Sequence, residues 1–229
     1  MKVAKVFRWT LLVLCLNSTI LISQATAGIY LSNLADSSWG GYGVSGNWGQ
    51  GQMFQTGSSP GGYALGSISL SMISWYEGVS DFQVSIYSNS GGKPGIRLET
   101  LSGSNDPQAS GLYDYTSSGI TLSSGTPYWI VGTASGAATG FSAYFWEITR
   151  DAGYVSSDGW QIPAGNTHGV YNVASGAWAL LDPGTYGTME FAVHATPVPE
   201  PGSWVLTALG LWFLWRKPCL RRECIKAED

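Results

Sequence analysis

The sequence is poor in cysteine, histidine and helical periodicity, and each shortage excludes a class of site or fold. Its three cysteines lie at positions 15, 219 and 224, so the long central part has neither a disulfide nor a thiol site. Its two histidines, His168 and His194, are far apart and show no metal-ligand spacing, which argues against a zinc or catalytic imidazole site. Because helical periodicity is almost absent from the central part, a helical domain is not expected.

Basic residues are also scarce between positions 28 and 197, where the chain carries only Lys93, Arg97 and Arg150. The acidic residues of the same part outnumber them, and they are Asp36, Glu77, Asp81, Glu99, Asp106, Asp114, Glu147, Asp151, Asp158, Asp182 and Glu190. A negative surface repels phosphate backbones, so a nucleic-acid partner is not expected. Glycine, serine, threonine and aromatic residues are abundant instead, which suits a β-rich domain with a core.

Residues 1–27 have the layout of a secretory signal peptide. A basic start precedes a broken apolar run, and the small residues Ala25 and Ala27 occupy the −3 and −1 positions of a cleavage site. The apolar run is shorter than the ~20 residues that a membrane-spanning helix needs. We therefore expect export with removal of this segment, and an uncleaved N-terminal anchor is the alternative.

Residues 197–229 show three features in a fixed order. A glutamate between two prolines, Pro199-Glu200-Pro201, is followed by an uncharged apolar run at about 203–215. At a rise of ~1.5 Å per residue this predicted helix covers roughly 20 Å, which is short for a permanent anchor in a ~30 Å hydrocarbon core. A basic cluster comes next and should stay cytoplasmic by the positive-inside rule. Its residues are Arg216, Lys217, Arg221 and Arg222.

This order of features resembles the PEP-CTERM sorting signal of exported proteins in Gram-negative bacteria. The resemblance implies a transient anchor in the inner membrane, with a cytoplasmic C-terminus, until an exosortase cleaves near Pro199-Glu200-Pro201. The protein then reaches the cell surface or the extracellular space. The chain departs from the family pattern by continuing after the basic cluster, over residues 223–229. A permanent single-pass anchor that is never cleaved is the alternative.

The central part alternates between apolar and polar residues, as half-buried strands do. Ile68, Leu70 and Met72 alternate with serines, and Met189, Phe191 and Val193 alternate near the end of the domain. The run Tyr128–Val131 is apolar on both faces, which predicts a central strand. Short strands with regular glycine and proline between them predict an all-β fold over residues 28–196, an antiparallel β-sandwich of jelly-roll-like or Ig-like type.

Some segments are predicted as loops and turns. Residues 37–62 are rich in glycine, and we expect a loop that leads into a strand at Gly51–Thr56. Turn signals occur at Ser90-Gly91-Gly92, Lys93-Pro94-Gly95 and Asp182-Pro183-Gly184. The segment Ala174–Gly187 is expected to form a hairpin and a loop.

The middle of the chain resembles a second family. The segment DFQVSIYSNSGGKPGIRLETLSG begins at Asp81, and GLYDYTSSGITLSSGTPYWIVGTASG ends at Gly136. A strand ending in Ile-Tyr, a Gly-Gly-x-Pro-Gly turn and a later Gly-Thr-x-Tyr-Trp-Ile-Val strand are similar to the choice-of-anchor R domain. That resemblance implies a β-rich extracellular domain joined to a sorting tail, and it brings no catalytic residues.

Two glycine-rich motifs match known site patterns without their context. Gly57–Gly61 fits the nucleophile elbow G-x-S-x-G, but Pro60 has no N–H to offer to an oxyanion. Gly41–Gly46 fits G-x-G-x-x-G, but no strand precedes it and no helix follows it in the predicted pattern. We interpret the first as a plain turn and the second as a glycine-rich loop.

Carboxylates offer two weak alternatives. Glu147, among Tyr144, Trp146 and Trp160 in an expected aromatic environment, is the candidate for a polysaccharide hydrolase, because such surroundings raise a carboxyl pKa. Asp151 and Asp158 supply hard oxygen ligands for a possible calcium ion, although they do not match an EF-hand spacing. No other cofactor is expected.

Tryptophans in loop-rich segments form the remaining candidate site. Exposed aromatic rings stack on the apolar faces of sugars, whereas the same residue types also pack sandwich cores. The candidate glycan contacts are Trp39, Trp48, Trp160 and Trp178.

These observations predict an exported, non-catalytic protein. The sorting resemblance implies association with the cell surface or an extracellular matrix of exopolysaccharide, since exosortase systems usually accompany exopolysaccharide production. A carbohydrate-binding module is the sharper alternative, and a polysaccharide hydrolase is the third.

Overall fold

A computed structural model describes residues 27–73, 80–135, 144–151, 153–165 and 167–200. Within these ranges the chain forms fifteen strands in two antiparallel sheets, named sheet A and sheet B, together with one short helix. The prediction of an all-β antiparallel sandwich is confirmed. The predicted signal peptide apart from Ala27, and the predicted tail from Pro201 through the apolar run and the basic cluster, lie outside the described residues.

Sheet A contains nine strands. They are β1 (Gly28–Ser32), β2 (Ser38–Val44), β4 (Tyr63–Ile73), β7 (Gly111–Thr116), β8 (Thr121–Leu122), β10 (Tyr144–Thr149), β11 (Val155–Ser156), β14 (Thr188–Met189) and β15 (Phe191–Pro197). Their main order is β11-β1-β15-β4-β10-β14, with β2 paired to β10 and with β7 and β8 paired to β4.

Sheet B contains six strands. They are β3 (Trp48–Gln55), β5 (Ser80–Ser90), β6 (Lys93–Thr100), β9 (Pro127–Ser135), β12 (His168–Asn172) and β13 (Ala177–Leu181). Their order is β13-β12-β3-β9-β5-β6. The helix α1 (Pro183–Tyr186) follows β13, and its N-cap Asp182 accepts a hydrogen bond from the Gly184 N–H.

The core lies between the two sheets and is built from the predicted alternation. Ile68, Leu70 and Met72 on β4 are fully buried, as is Val193 on β15. The apolar run that begins at Tyr128 forms β9, which is central in sheet B as predicted. Full burial of one large apolar side chain is worth about 1.5–3 kcal/mol, so this alternation fixes which face of each strand turns inward.

Two loop predictions are wrong, and glycine is the reason in both cases. The glycine-rich segment at Ser38–Val44 is a strand paired with β10, and glycine allows a close approach there, since a Cβ at Gly41 would lie only 3.1 Å from the Trp146 carbonyl oxygen. Lys93-Pro94-Gly95 begins β6 instead of forming a turn. The turn is made by Gly91 and Gly92, whose φ values of 59° and 80° suit a two-residue hairpin loop.

Candidate functional site

Sheet B is strongly curved, and the curvature creates a cleft on the face that points away from sheet A. In a flat six-stranded sheet the two edge strands are roughly 24 Å apart, at ~4.8 Å per interval. Here the edge strands β13 and β6 have Cα atoms within 8 Å of each other. The two edges therefore form opposite walls, with the central strands as the floor.

The cleft has a volume of about 250 Å³ and mixed aromatic, aliphatic and hydroxyl walls. We call it the aromatic cleft, and its lining residues are Tyr87, Gly95, Val131, Thr133, Tyr171 and Trp178. Its walls come from the two edges of the sheet, and Val131 and Thr133 of the central strand β9 form the floor. Its volume is below the roughly 300–1,000 Å³ of most small-molecule binding sites, so it is a small cleft in which polar and apolar surface are mixed.

Alternation along the strands explains which residues reach the cleft. Ile130 on β9 belongs to the main core, so its neighbour Val131 points to the opposite face. On the adjacent strands the cleft face carries glycine at Gly51 and Gly169. A Cβ at either position would lie 3.1 Å from an atom of the Trp178 ring. The indole therefore lies close over the backbone of both glycines, and any larger residue there would require the ring to shift.

The aromatic rings of the cleft support one another. The Trp178 ring centroid is 5.1 Å from that of Tyr171 and 6.5 Å from that of Trp129. Trp129 is fully buried, and its Nε1 donates a hydrogen bond of 3.0 Å to Asn89 Oδ1. Because the buried indole is fixed, the exposed parts of Tyr171 and Trp178 form a preorganised aromatic surface.

The four tryptophans predicted as glycan contacts lie in different parts of the structure. Trp178 lines the aromatic cleft. The prediction for Trp160 is wrong, because this ring is only 1% exposed and stacks on Phe54 in the core at 5.8 Å. Trp39 and Trp48 are 54% and 45% exposed, but neither lines the cleft. Trp39 is covered on one side by the Arg150 guanidinium, 3.3 Å from the ring centroid.

Sequence reasoning missed Tyr87, Val131 and Thr133 as cleft residues. One signal was present for Tyr171 and Trp178, since they flank a short turn at residues 173–176 and pair across the resulting hairpin. Tyr87 gave no such signal, because its strand β5 is brought to the cleft only by the curvature of the whole sheet.

The predicted aromatic environment of Glu147 is wrong. Trp146 and Tyr144 occupy alternate positions of β10 and point into the core, so the Glu147 carboxylate points outward. There it accepts a hydrogen bond from the Ser71 hydroxyl. Trp160 belongs to a separate cluster with Tyr63.

A different carboxyl, Glu190, is the perturbed one. It is only 3% exposed, and its Oε1 has no hydrogen-bond partner among the described residues. Its pKa is raised to about 7, mainly by burial and in addition by the nearby carboxylates of Glu147 and Asp36. Sequence reasoning missed this group, because Glu190 lies at a break between β14 and β15 that the alternation pattern does not show.

The two calcium candidates lie in different surroundings. Asp151 accepts a hydrogen bond of 3.3 Å from the Ser37 N–H and lies near Asp36, whereas Asp158 accepts one from the Tyr63 hydroxyl. Across the described ranges, no three His, Cys, Asp or Glu side chains are arranged to hold a metal ion. The calcium site stays a prediction.

The histidines occupy structural positions. His168 begins β12 and is fully buried. Its Nε2 lies 3.0 Å from Gln50 Oε1, its ring packs on Tyr42, and burial lowers its pKa to about 4. His194 lies on the polar face of β15, with its Nε2 3.2 Å from the Ser69 hydroxyl.

The motif Gly57–Gly61 forms a plain turn, as predicted. The Gly62 N–H donates to the Ser59 carbonyl at 2.9 Å, and the Ser59 N–H donates to the Tyr63 hydroxyl. The serine therefore sits in a turn that leads into a strand, not in the strand–turn–helix that a nucleophile elbow requires.

The exit from the domain lies against the same turn. After β15, the Val198 N–H donates to the Gly62 carbonyl at 2.9 Å, while Pro199 and Glu200 are exposed. In the part of the chain that the structure describes, no helix has the length and apolar character needed to cross a membrane.

Comparison with known proteins adds no relative. No protein-family model matches the chain, and neither curated proteins nor solved structures give a significant match. The resemblances to PEP-CTERM and choice-of-anchor R proteins therefore rest on the residues quoted above.

Proposed function

We propose that this protein is an exported, non-catalytic component of the cell surface or extracellular matrix, and that it binds polysaccharide through the aromatic cleft. The observation that carries the proposal is the cleft itself. Tyr87 on one wall and Tyr171 and Trp178 on the other line a cleft whose floor includes Thr133. Aromatic faces suit the C–H surfaces of sugar rings, and hydroxyl groups suit their hydrogen bonds.

Export is supported by the two ends of the chain. The described domain is flanked by the predicted signal peptide at 1–27 and the predicted sorting tail, with its short apolar helix at about 203–215. Gly28 pairs with Ala195 in sheet A, so the first residues of β1 and the last residues of β15 leave from the same end of the sheet. Both predicted membrane segments can therefore reach one membrane while the domain lies on its outer side.

Sorting by an exosortase follows from the tail. The transient inner-membrane anchor exposes Pro199 and Glu200 beside the domain, and cleavage there releases the protein to the surface or the extracellular space. Exopolysaccharide is then the polymer that the cleft meets, which joins the sorting tail and the cleft in one function.

The proposal is tested by affinity electrophoresis of the domain in gels loaded with the producing bacterium's own polysaccharide. We expect polysaccharide to retard the wild type, and Trp178→Ala to remove most of that retardation. Trp48→Ala is the matched control, since Trp48 is also exposed but lies outside the cleft. Circular dichroism confirms that both variants fold.

Three outcomes have different meanings. Equal retardation of wild type and Trp178→Ala places glycan binding elsewhere, and absence of retardation for every protein removes the glycan-binding function. Release of reducing ends by the wild type would instead indicate a hydrolase, and Glu147→Gln would then be the first variant to examine.

A further inference from the structure

Charge is distributed unevenly around the aromatic cleft. The domain has three basic residues, and one of them, Arg97, pairs directly with the cleft residue Tyr87 in the register between β6 and β5. Arg97 is not itself a lining residue of the cleft. Residues that pair directly across antiparallel strands are neighbours, so Arg97 lies beside Tyr87 on the edge strand β6, at the rim, with register irregularities on both sides of the pair. Arg97 is exposed, and it forms no ion pair with the described residues.

The acidic residues of the domain do not neutralise this rim. No described residue that lines the cleft is acidic. The nearest acidic residues on sheet B are engaged elsewhere: Asp81 accepts a hydrogen bond of 2.8 Å from the Ser135 hydroxyl. Glu99 pairs with the core residue Ile86, and its carboxylate accepts bonds of 2.6 Å from Ser117 and Ser118.

Glu147 and Glu190 lie on or between strands of sheet A, on the other side of the sandwich. Although the domain as a whole is acidic, its described residues therefore present a guanidinium without an ion pair beside the aromatic cleft, and their carboxylates do not line the cleft. This arrangement favours a negative group on the ligand.

We propose that the glycan bound by the cleft is anionic, and that its carboxylate or sulfate groups pair with Arg97 while a sugar ring stacks on the aromatic walls. This inference rests on the proposed glycan-binding function. A guanidinium matches both groups, because its planar fork donates two parallel hydrogen bonds to a pair of oxygens. Arg97 thus selects among glycans, whereas Tyr171 and Trp178 supply contact area that does not depend on charge.

The chain offers a matched control on the same strand. Lys93 pairs with Ser90 at the tip of the β5–β6 hairpin. Ser90 lies an even number of positions from the core-facing Ile86 and an odd number from Tyr87, so the Lys93 position belongs to the face opposite the cleft. Arg97→Gln and Lys93→Gln remove the same charge from the same strand, on different faces.

The experiment measures binding of the isolated domain to polygalacturonate, dextran sulfate and neutral dextran, each at low and high salt. We expect tighter binding to at least one acidic polymer than to dextran, and the polymer preferred identifies carboxylate or sulfate as the group recognised. Arg97→Gln should weaken that binding by roughly two- to fivefold, the size expected for an exposed ion pair. Lys93→Gln should leave it unchanged, and added salt should reduce it for the wild type more than for Arg97→Gln.

The failures of the two proposals are distinguishable. If dextran binds as well as the acidic polymers, and Trp178→Ala weakens binding while Arg97→Gln does not, the cleft binds glycan but the anionic preference is wrong. If Arg97→Gln and Lys93→Gln weaken binding to the acidic polymer equally, the attraction is nonspecific and the inference is also wrong. If no polymer binds, including the producer's own polysaccharide, the proposed function itself fails.

Discussion

Two buried titratable side chains, Glu190 and His168, make the free energy of unfolding depend on pH in opposite directions. The raised pKa of Glu190 means that the folded protein holds a proton which the unfolded chain, with an ordinary value of 4.5, has released. The contribution of Glu190 to the free energy of unfolding therefore decreases as pH rises from 4.5 to about 7. The lowered pKa of His168 has the opposite sign, since the unfolded chain binds a proton below 6.5 that the folded protein does not accept until about 4.

We predict that Glu190→Gln stabilises the protein at pH 8 and has little effect near pH 4.5. The difference between a pKa of about 7 and 4.5 corresponds to roughly 3 kcal/mol, which is the upper bound of the gain. Urea unfolding between pH 4 and 8 measures it. Without Glu190, the pH dependence contributed by His168 remains, so the free energy of unfolding of the variant should increase as pH rises from 4 to 6.5. A variant with the same pH profile as the wild type would show that Glu190 is ionised in the folded state without cost.

We predict that the free energy of unfolding of His168→Gln changes with pH in the opposite direction to that of Glu190→Gln. Loss of the contact to Gln50 lowers its absolute stability, so the pH dependence is the readout. Its free energy of unfolding should fall as pH rises from 4.5 to 7, by up to roughly 3 kcal/mol. His194→Gln is the control, because His194 lies on the polar face and not in the core. A His168→Gln profile that rises with pH, or that follows the control, would contradict the assignment.

Residue-level expectations from the sequence succeeded where strand alternation decides the outcome. Ile68 and Phe191 are buried as expected, because neighbouring positions on regular strands point to opposite faces. The same rule, applied fully, places Glu147 outside, since Trp146 must point inward. Glu190 and His168 escaped prediction because their burial depends on distant segments: Asn33 bonds the backbone on both sides of Glu190, and Gln50 contacts His168.

At the scale of elements, the aromatic cleft depends on glycines in β3 and β12. Gly51 on β3 and Gly169 on β12 pair directly, and the Trp178 indole lies over both. A side chain at either position would lift the ring from the floor and change the shape of the cleft. The glycine content that suggested loops therefore serves close packing of an aromatic ring on a sheet.

We predict that Gly51→Ala impairs the cleft, because the added Cβ would lie 3.1 Å from Cζ3 of Trp178 and 3.4 Å from Trp129. Overpacking of this kind costs about 1–3 kcal/mol, and the shifted indole should change the tryptophan fluorescence and weaken glycan binding. Gly132→Ala is the matched control. Gly132 lies on the neighbouring strand with its missing Cβ toward the core, and its nearest contact would be an ordinary 3.5 Å. Equal effects of the two substitutions on the fluorescence would show that Trp178 does not rest on Gly51.

Most strands could be predicted from the sequence, and the curvature of sheet B could not. Alternation located β4 and β15, and an apolar run located β9 and identified it as central. Strand β2 was missed because glycine weakens the alternation pattern, while its pairing with β10 stabilises it. The cleft was missed because the approach of β13 to β6 is a property of six strands together.

At the scale of the whole molecule, the domain and the predicted sorting motif are almost contiguous. Strand β15 runs to Pro197, one residue beyond the predicted domain boundary at 196, and Val198 is held by the Gly62 carbonyl. A Cβ at Gly61 would lie 2.0 Å from the Val198 carbonyl oxygen, so the exit segment packs tightly on the turn. The first exposed residues after the domain are Pro199 and Glu200.

This geometry leads to a prediction for Glu200→Ala in the full chain. We expect the variant to accumulate as an unprocessed form in the membrane fraction, whereas the wild type appears as a shorter form at the cell surface or in the medium. The folded domain should be unaffected, because Glu200 is exposed and lies beyond the last described backbone bond at Val198. Immunoblots of fractionated cells, with and without the exosortase gene, provide the measurement.

Asp81→Asn is the control for the loss of one negative charge, since it removes a carboxylate from the domain instead of the tail, at a position whose φ of 56° asparagine tolerates. It should be processed like the wild type. If Glu200→Ala and the wild type have the same size and the same distribution, Pro199-Glu200-Pro201 is not a processing motif. Because the aromatic cleft does not include the exit segment, glycan binding by the isolated domain would still be expected, so the sorting and binding proposals can fail independently.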